Sequence, residues 1–260
     1  MINISHYKDL LQQPWGKIQY DITFAQLAHL EDLDILDFGA GFGLVSQFLS
    51  QKNRVTAVEP EADLLLADDH QTFTKIIGSL EALEDLPNQT FDVICCHNVL
   101  EYIEPSQRPA YIQTFDVICC HNVLEYIEPN QRPAYIQNFE RLLRPGGRLS
   151  IIKHNQVGKI LQSVVLNNDI ETALALLEGE DFKSLSFAQG KIYSMADLEK
   201  MSQLTIDNYL AIRSFYSLQP NHFKTEKGWL EKMTQMELAV CDLKPYKDIS
   251  FLQHVWMRKE

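Results

Sequence analysis

LDILDFGAGFG, residues 33–43, decides the fold of this chain. Its first six residues are mostly apolar and read as a buried strand. Three glycines follow at every second position, Gly39, Gly41 and Gly43, and FGLVSQFLSQK (42–52) then shows helical apolar spacing at Leu44, Val45, Phe48 and Leu49. A strand that runs through a glycine turn into a helix brings backbone close to a ligand. Working outward, RVTAVE (54–59) reads as a second strand, with a helix around EADLLLADD (61–69) after it. TKIIG (74–78) is a third strand and FDVICCH (91–97 or 115–121) a fourth. The spacing then predicts a helix through 129–147, stopped at Pro145-Gly146-Gly147, and a fifth strand at RLSIIKH (148–154). Stretches 207–216 and 250–259 are candidates for strands six and seven. The alternation implies an α/β chain with a largely parallel sheet. Residues 1–30 read as an N-terminal helical cap, and 155–206 has the length of a lid or substrate-binding insertion.

The fourth strand is written twice. TFDVICCHNVLEYIEPSQRPAYIQ (90–113) abuts TFDVICCHNVLEYIEPNQRPAYIQ (114–137), and the two differ only at Ser106 against Asn130. Two copies between unrelated flanks are not a solenoid, which needs at least three diverged repeats. Only one copy can hold the central position. The second copy runs unbroken into the helix and strand five, so it is expected to supply the strand, leaving 90–113 as a surplus looped out away from the glycine turn. A spare VICCHNVLEYI is apolar and β-prone, and a homodimer through that strand is the partner it suggests.

The chain has 260 residues, 45% hydrophobic and 22% charged, the composition of a globular protein with a sizeable core. Four of its five cysteines are Cys95, Cys96, Cys119 and Cys120, adjacent pairs in apolar runs without metal or redox spacing. No apolar run is long enough to span a bilayer, and the N-terminus lacks a signal peptide's layout, so a cytoplasmic location is expected. The formal net charge of −12 argues against broad, non-specific nucleic-acid binding.

Glu59 closes the second strand 20 residues beyond Gly39, where a carboxylate can accept both hydroxyls of a ribose. Nicotinamide- and S-adenosylmethionine-binding Rossmann folds share that arrangement. The dinucleotide fingerprint, however, wants G-x-G-x-x-G, and this chain has G-x-G-x-G with Leu44 at the would-be third glycine. LDFGAGFG, AVEP, FDVICCHNVLEYI and RLLRPGGRLSI together resemble, in order and spacing, the class I S-adenosylmethionine-dependent methyltransferases. The resemblance covers residues 33 to 153, counting one copy of the block. It implies a Rossmann-like seven-stranded sheet with helices on both faces, a single domain over 1–260, and S-adenosylmethionine across the strands' C-terminal ends. By motif position it places Asp37, Gly39, Ala40 and Gly41 near the cofactor's methionine part and Glu59 at the ribose. Pro60, Ser79 and Leu80 fall at the adenine, with His121 and Asn122 after strand four. Many relatives carry Asp where Ser79 stands, which leaves the adenine contact short of an acceptor.

PWGKIQYDITFAQL, KHNQVGKILQSVVLNND and KPYKDISFLQHVWMRK resemble the bacterial tRNA 5-carboxymethoxyuridine methyltransferase group. That implies a carboxylate on a modified wobble uridine as the acceptor; the alternative is a small-molecule acceptor. Methyl transfer asks for positioning and desolvation, with a general base only where the acceptor must lose a proton. Candidates for that chemistry are Lys153, His154 and His121, with Lys17, His154 and Asn155 as substrate contacts. Two rival readings are a nicotinamide-dependent oxidoreductase and a cofactor-binding protein inactivated by the duplication.

Overall fold

The computed structural model describes residues 13–68, 70–97, 123–179 and 191–260, with backbone only at 123 and 126. Seven strands form one sheet in the order β3-β2-β1-β4-β5-β7-β6. They are β1 (Asp34–Phe38), β2 (Arg54–Glu59), β3 (Thr74–Ile77), β4 (Phe91–Cys96), β5 (Leu143–His154), β6 (Thr205–Ile212) and β7 (Leu252–Arg258). β1 to β5 run parallel, and β7 pairs antiparallel with both β5 and β6. The order reverses direction at β1 and β4, so the crevice above their C-terminal ends is the natural ligand site.

Both faces of the sheet are covered, which is why its strands are apolar at almost every position. On one face Leu36, Phe38, Ile94, Leu149 and Ile151 pack under α6 (Arg132–Leu142), through Tyr135, Ile136 and Phe139. On the other, Ile35, Ala57, Val93 and Cys95 pack under α1 (Pro14–Leu27) and α2 (Leu44–Leu49). Short helices α3 (Ala62–Leu65) and α4 (Leu80–Glu84) follow β2 and β3. The predicted cap is represented by α1, since 1–12 lie outside the described residues.

The structure corrects the assignment of strand four. Phe91–Cys96, from the first copy, lies between β1 and β5, while the second copy supplies α5 (Val123–Tyr126) and α6. The surplus therefore falls between the strand and its helix, and residues 98–122, with His121 and Asn122, lie outside the described residues. So does any dimer contact through a spare strand. The physical reason lies upstream. Arg141 on α6 donates to Leu83 O (2.6 Å), Leu86 O (2.9 Å) and Asn88 Oδ1 (2.6 Å), and Thr90 Oγ1 donates to Pro87 O at 2.7 Å. This knot ties α4 and its exit to whichever strand follows Asn88, and only the first copy does.

Two boundaries also move. α6 ends at Leu142, and the Arg144-Pro145-Gly146-Gly147 run lies in β5 instead of closing the helix. Arg144 explains it: its guanidinium bridges Asp34 (2.9 Å) and Asp92 (2.7 Å) at the feet of β1 and β4, which holds the run against the sheet. The sixth strand ends at Ile212, four residues before the predicted 216. The described residues of the 155–206 segment include α7 (Gln156–Leu161), a π-turn (Gln162–Leu166), α8 (Ile170–Leu177) and α9 (Met195–Met201). The last described helices are α10 (Trp229–Val240) and α11 (Tyr246–Ile249). Among the described residues no helix is long and apolar enough to cross a membrane.

Candidate functional site

The site begins where β1 ends. Gly39, Gly41 and Gly43 have φ of 78°, 55° and 70°, left-handed conformations that favour glycine. At Gly43 a Cβ would also stand 2.5 Å from the Phe73 ring. The turn is pinned to β2 by Gly39 N and Ala40 N, which donate to Val58 O at 2.9 and 3.2 Å. Glu59, fully buried at the end of β2, accepts from Gly41 N at 2.8 Å and from Glu61 N at 3.1 Å. Its carboxylate is thus held at the lip of the glycine turn, with Pro60 beside it. Asp37, 1% exposed beneath the turn, accepts from Ser46 Oγ at 2.6 Å. Burial pushes its carboxyl up to about 6, against the lowering effect of the serine.

Ser79 caps α4, its Oγ accepting from Leu80 N. Ser79 N and Oγ both donate to the Glu81 carboxylate, at 2.8 and 2.9 Å, and these bonds hold that carboxyl below the usual range. A carboxylate therefore does stand beside Ser79, supplied from two residues further on.

His97, the residue after strand four, is 2% exposed and part of a directed chain of hydrogen bonds. Gln26 Nε2 donates to Ala211 O (2.9 Å), so its Oε1 faces His254 Nδ1 at 2.7 Å and that nitrogen must donate. His254 Nε2 is then an acceptor for Ser150 Oγ (2.6 Å), which in turn accepts from His97 Nε2 at 2.7 Å. The proton of His97 is thereby placed on Nε2. Its Nδ1 is a buried lone pair with no hydrogen-bond partner among the described residues. Burial pushes His97 down to about 3 and His254 lower than an ordinary imidazole, so both are neutral near pH 7.

Strand five carries the other rim residues. In register Ile151 lies opposite Cys96, and Cys96 opposite Phe38, so Lys153 and His154, still paired with Gln253 and Leu252 of β7, extend past the ends of β4 and β1. They point to opposite faces. His154 is 1% exposed, and its Nδ1 lies 2.6 Å from Glu125 Oε2 while its backbone N donates to Glu125 Oε1 at 2.7 Å. Glu125 comes from α5, so the second copy locks onto strand five through this pair. Lys153, 3% exposed, donates Nζ to His154 O at 2.7 Å and lies 5.5 Å from the Tyr193 ring. Burial lowers it to about 8 although Glu125 and Asp197 oppose the shift. It lines a cavity of about 470 Å³ together with Tyr193, Asp197, Tyr209, Asp248 and Gln253, which α7 and α8 close with Gln156, Val157 and Leu176. Arg132 buttresses Tyr193: its guanidinium donates to Ile127 O (3.0 Å), Glu125 O (3.2 Å) and Lys191 O (2.8 Å) and stacks on the Tyr193 ring.

The structure thus brings Asp37, Gly39, Ala40, Gly41, Glu59 and Pro60 together on one side of the crevice and Lys153 and His154 on the other. Asn155 also lines the cavity, but its amide is engaged, donating to Asp248 O (2.7 Å) and Ser250 O (2.9 Å) and capping α7. Lys17 is exposed on α1, where its charge acts on Asp21. Glu125, Arg132 and Tyr193 were not singled out from sequence. A buried arginine in a helix that opens RPAYI was the available signal.

The methyltransferase domain family matches residues 36–112 and 109–151, two pieces that meet near the boundary between the copies. The chain is an enzyme that transfers methyl groups from S-adenosylmethionine. No curated protein matches it. Among solved structures, an S-adenosylmethionine-dependent methyltransferase from Thermotoga maritima is similar at TM-score 0.58 and 10% identity, covering 99% of this chain and 96% of its own. One from Methanosarcina mazei gives 0.52 and 14%, covering 90% and 96%. One from Mesorhizobium loti gives 0.51 and 13%, covering 94% and 99%. At these identities the likeness is one of fold, and it extends over nearly the whole methyltransferase, including the α7–α9 segment.

Proposed function

We propose that this methyltransferase esterifies a carboxylate, and that the carboxylate is carried on a modified wobble uridine of tRNA. The glycine turn and Glu59 would hold S-adenosylmethionine, which would supply an already activated methyl group, and a carboxylate acceptor needs no proton removed from it. The observation that carries the reading is Lys153. A buried ammonium that, among the described residues, donates to one backbone carbonyl and lines a cavity at the rim suits an anionic guest. His97 supports it from the other side, because a neutral imidazole held far below pH 7 is not poised to remove protons. The tRNA part follows the resemblance of the chain's end segments. A cytoplasmic site of action goes with such a substrate.

A second reading has its own observation. His154 oriented by Glu125 at 2.6 Å is an arrangement that can serve an O–H or N–H acceptor, with His154 as base. Incubation with methyl-labelled cofactor and either bulk tRNA or a small-metabolite pool separates the two. An ester on tRNA releases its label in mild alkali, whereas a methyl ether or amine keeps it. Label confined to the metabolite pool and stable to alkali overturns the first reading.

A further inference from the structure

β6 ends at Ile212, and the residue after it, Arg213, has φ of 65°. That left-handed backbone is uncommon for a residue with a long side chain and fixes where the guanidinium goes. The side chain is 5% exposed. Nη1 donates to Gln19 Oε1 at 3.2 Å, while the guanidinium carbon lies 4.9 Å from the Phe251 ring and 5.4 Å from the Tyr216 ring. Among the described residues its Nε is buried with no hydrogen-bond partner, and so is Ser217 Oγ four residues on. Buried donors in that condition are costly unless something completes them.

Two more cations face the same rings. Lys224 Nζ lies 4.4 Å from Tyr216, and Lys159 Nζ lies 5.2 Å from Phe251. Lys224 is lowered to about 8, first by burial and then by the charge of Arg213. Glu237, a carboxylate on which the Arg213 charge acts, is engaged by Ser214 N (2.7 Å), Phe215 N (2.8 Å) and Tyr216 N (2.8 Å). Stacking accounts for the rings. It does not account for a bare Nε or for positive charges converging from three elements. The cluster adjoins the reaction rim, because the His154 ring packs edge-on against Phe251 at 5.2 Å.

We propose that Arg213, Lys224 and Ser217 form an oxyanion subsite, and that it takes a phosphate or carboxylate group of the methyl acceptor. Its assignment to the acceptor rests on the anionic-acceptor reading above; the subsite itself does not. Arginine supplies a planar fork suited to either group, and the aromatic walls exclude water from it.

The test uses the full chain and two probes, inorganic phosphate and acetate, added at constant ionic strength with chloride as the balance. The Nε–H resonance of Arg213, identified by its loss in Arg213→Gln, is followed by nitrogen–proton correlation spectroscopy. A saturable shift with either probe upholds the subsite, and the tighter probe tells whether phosphate or carboxylate is the guest. Lys224→Gln should weaken that probe about tenfold, while Lys52→Gln, an exposed lysine elsewhere, should leave it unchanged. A resonance that moves with neither probe, or an affinity that Lys224→Gln does not alter, overturns the proposal. Because no methyl transfer is measured, a wrong acceptor and a wrong subsite give different results.

Discussion

Ile94→Ala tests whether the first copy really owns the central strand. Ile94 is fully buried in β4, in the cluster that holds Leu36, Leu149 and Phe139. Truncating such a residue costs about 2–5 kcal/mol, from lost transfer energy plus the cavity. The full chain has an escape that an ordinary protein lacks: it could offer its second VICCH to the sheet. The cost of that exchange can be worked from the knot upstream. Strand and loop sequences are the same, and the surplus has the same length either way, so loop closure is equal. What is lost is the tie of the strand to Pro87 and Asn88, namely the Thr90 Oγ1 bond and the Arg141–Asn88 bond. One neutral and one charge-assisted bond amount to about 2–4 kcal/mol. Exchange therefore costs about as much as accepting the cavity, and by whichever route is cheaper the substitution should destabilise the full chain by about 2–4 kcal/mol. The comparison is a chain lacking residues 98–121, which retains one strand and one helix and should show the whole cost. Urea unfolding of both pairs measures it. If the full chain loses under about 1 kcal/mol while the shortened chain loses 2–5, the copies exchange freely and the role given to Pro87 and Asn88 is wrong.

Four further outcomes are expected. Asp37 has its folded carboxyl raised to about 6, so the stability it contributes is full below its unfolded value near 3.8 and is lost as pH rises through 6. Asp37→Asn should therefore gain up to ~3 kcal/mol at pH 7.5 relative to pH 3.5, and equal pH profiles for the two chains would sink the assignment. Glu125→Ala strips His154 of both its carboxylate contacts and should cost about 3–5 kcal/mol in denaturant unfolding. Glu59→Ala should weaken S-adenosylhomocysteine by roughly 10–100-fold in calorimetry, and unchanged affinity would remove Glu59 from the ribose. Lys153, lowered from 10.5 to about 8, penalises the fold fully below pH 8, and the penalty fades as pH rises from 8 towards 10.5. Lys153→Met should therefore stabilise the chain at pH 6.5, lose that advantage by pH 10, and raise KM for an anionic acceptor with kcat nearly unchanged.

The glycine turn, Glu59 and the parallel core were legible because each depends on residues close in sequence. Gly39, Gly41 and Gly43 announce left-handed backbone, and continuous apolar runs announce strands buried on both faces. The choice of copy was not legible. Ser106 and Asn130 lie beyond the strand, and the deciding contacts join Pro87 to Thr90 and Asn88 to Arg141 on α6. The helix stop at Pro145 was misread for a related reason: the Arg144 bridge to Asp34 and Asp92 is a three-strand contact that no local pattern records. At the site, Lys153 and His154 could be named from strand five, but Glu125 could not, since its partner lies 29 residues on. Arg213 was hidden more thoroughly, because its backbone angle and its bare Nε exist only in three dimensions.

The buried chain from Gln26 to His97 has a consequence for natural variation. Each member fixes the polarity of the next, so the bonds form a one-way circuit joining α1, β7, β5 and β4. Replacing Gln26 with a residue that can only donate would turn His254 around, then Ser150, and would leave a proton where His97 now shows a lone pair. Position 26 should therefore vary jointly with 97, 150 and 254 among descendants of this sequence, and a lone change there should be treated as a change at the rim of the crevice.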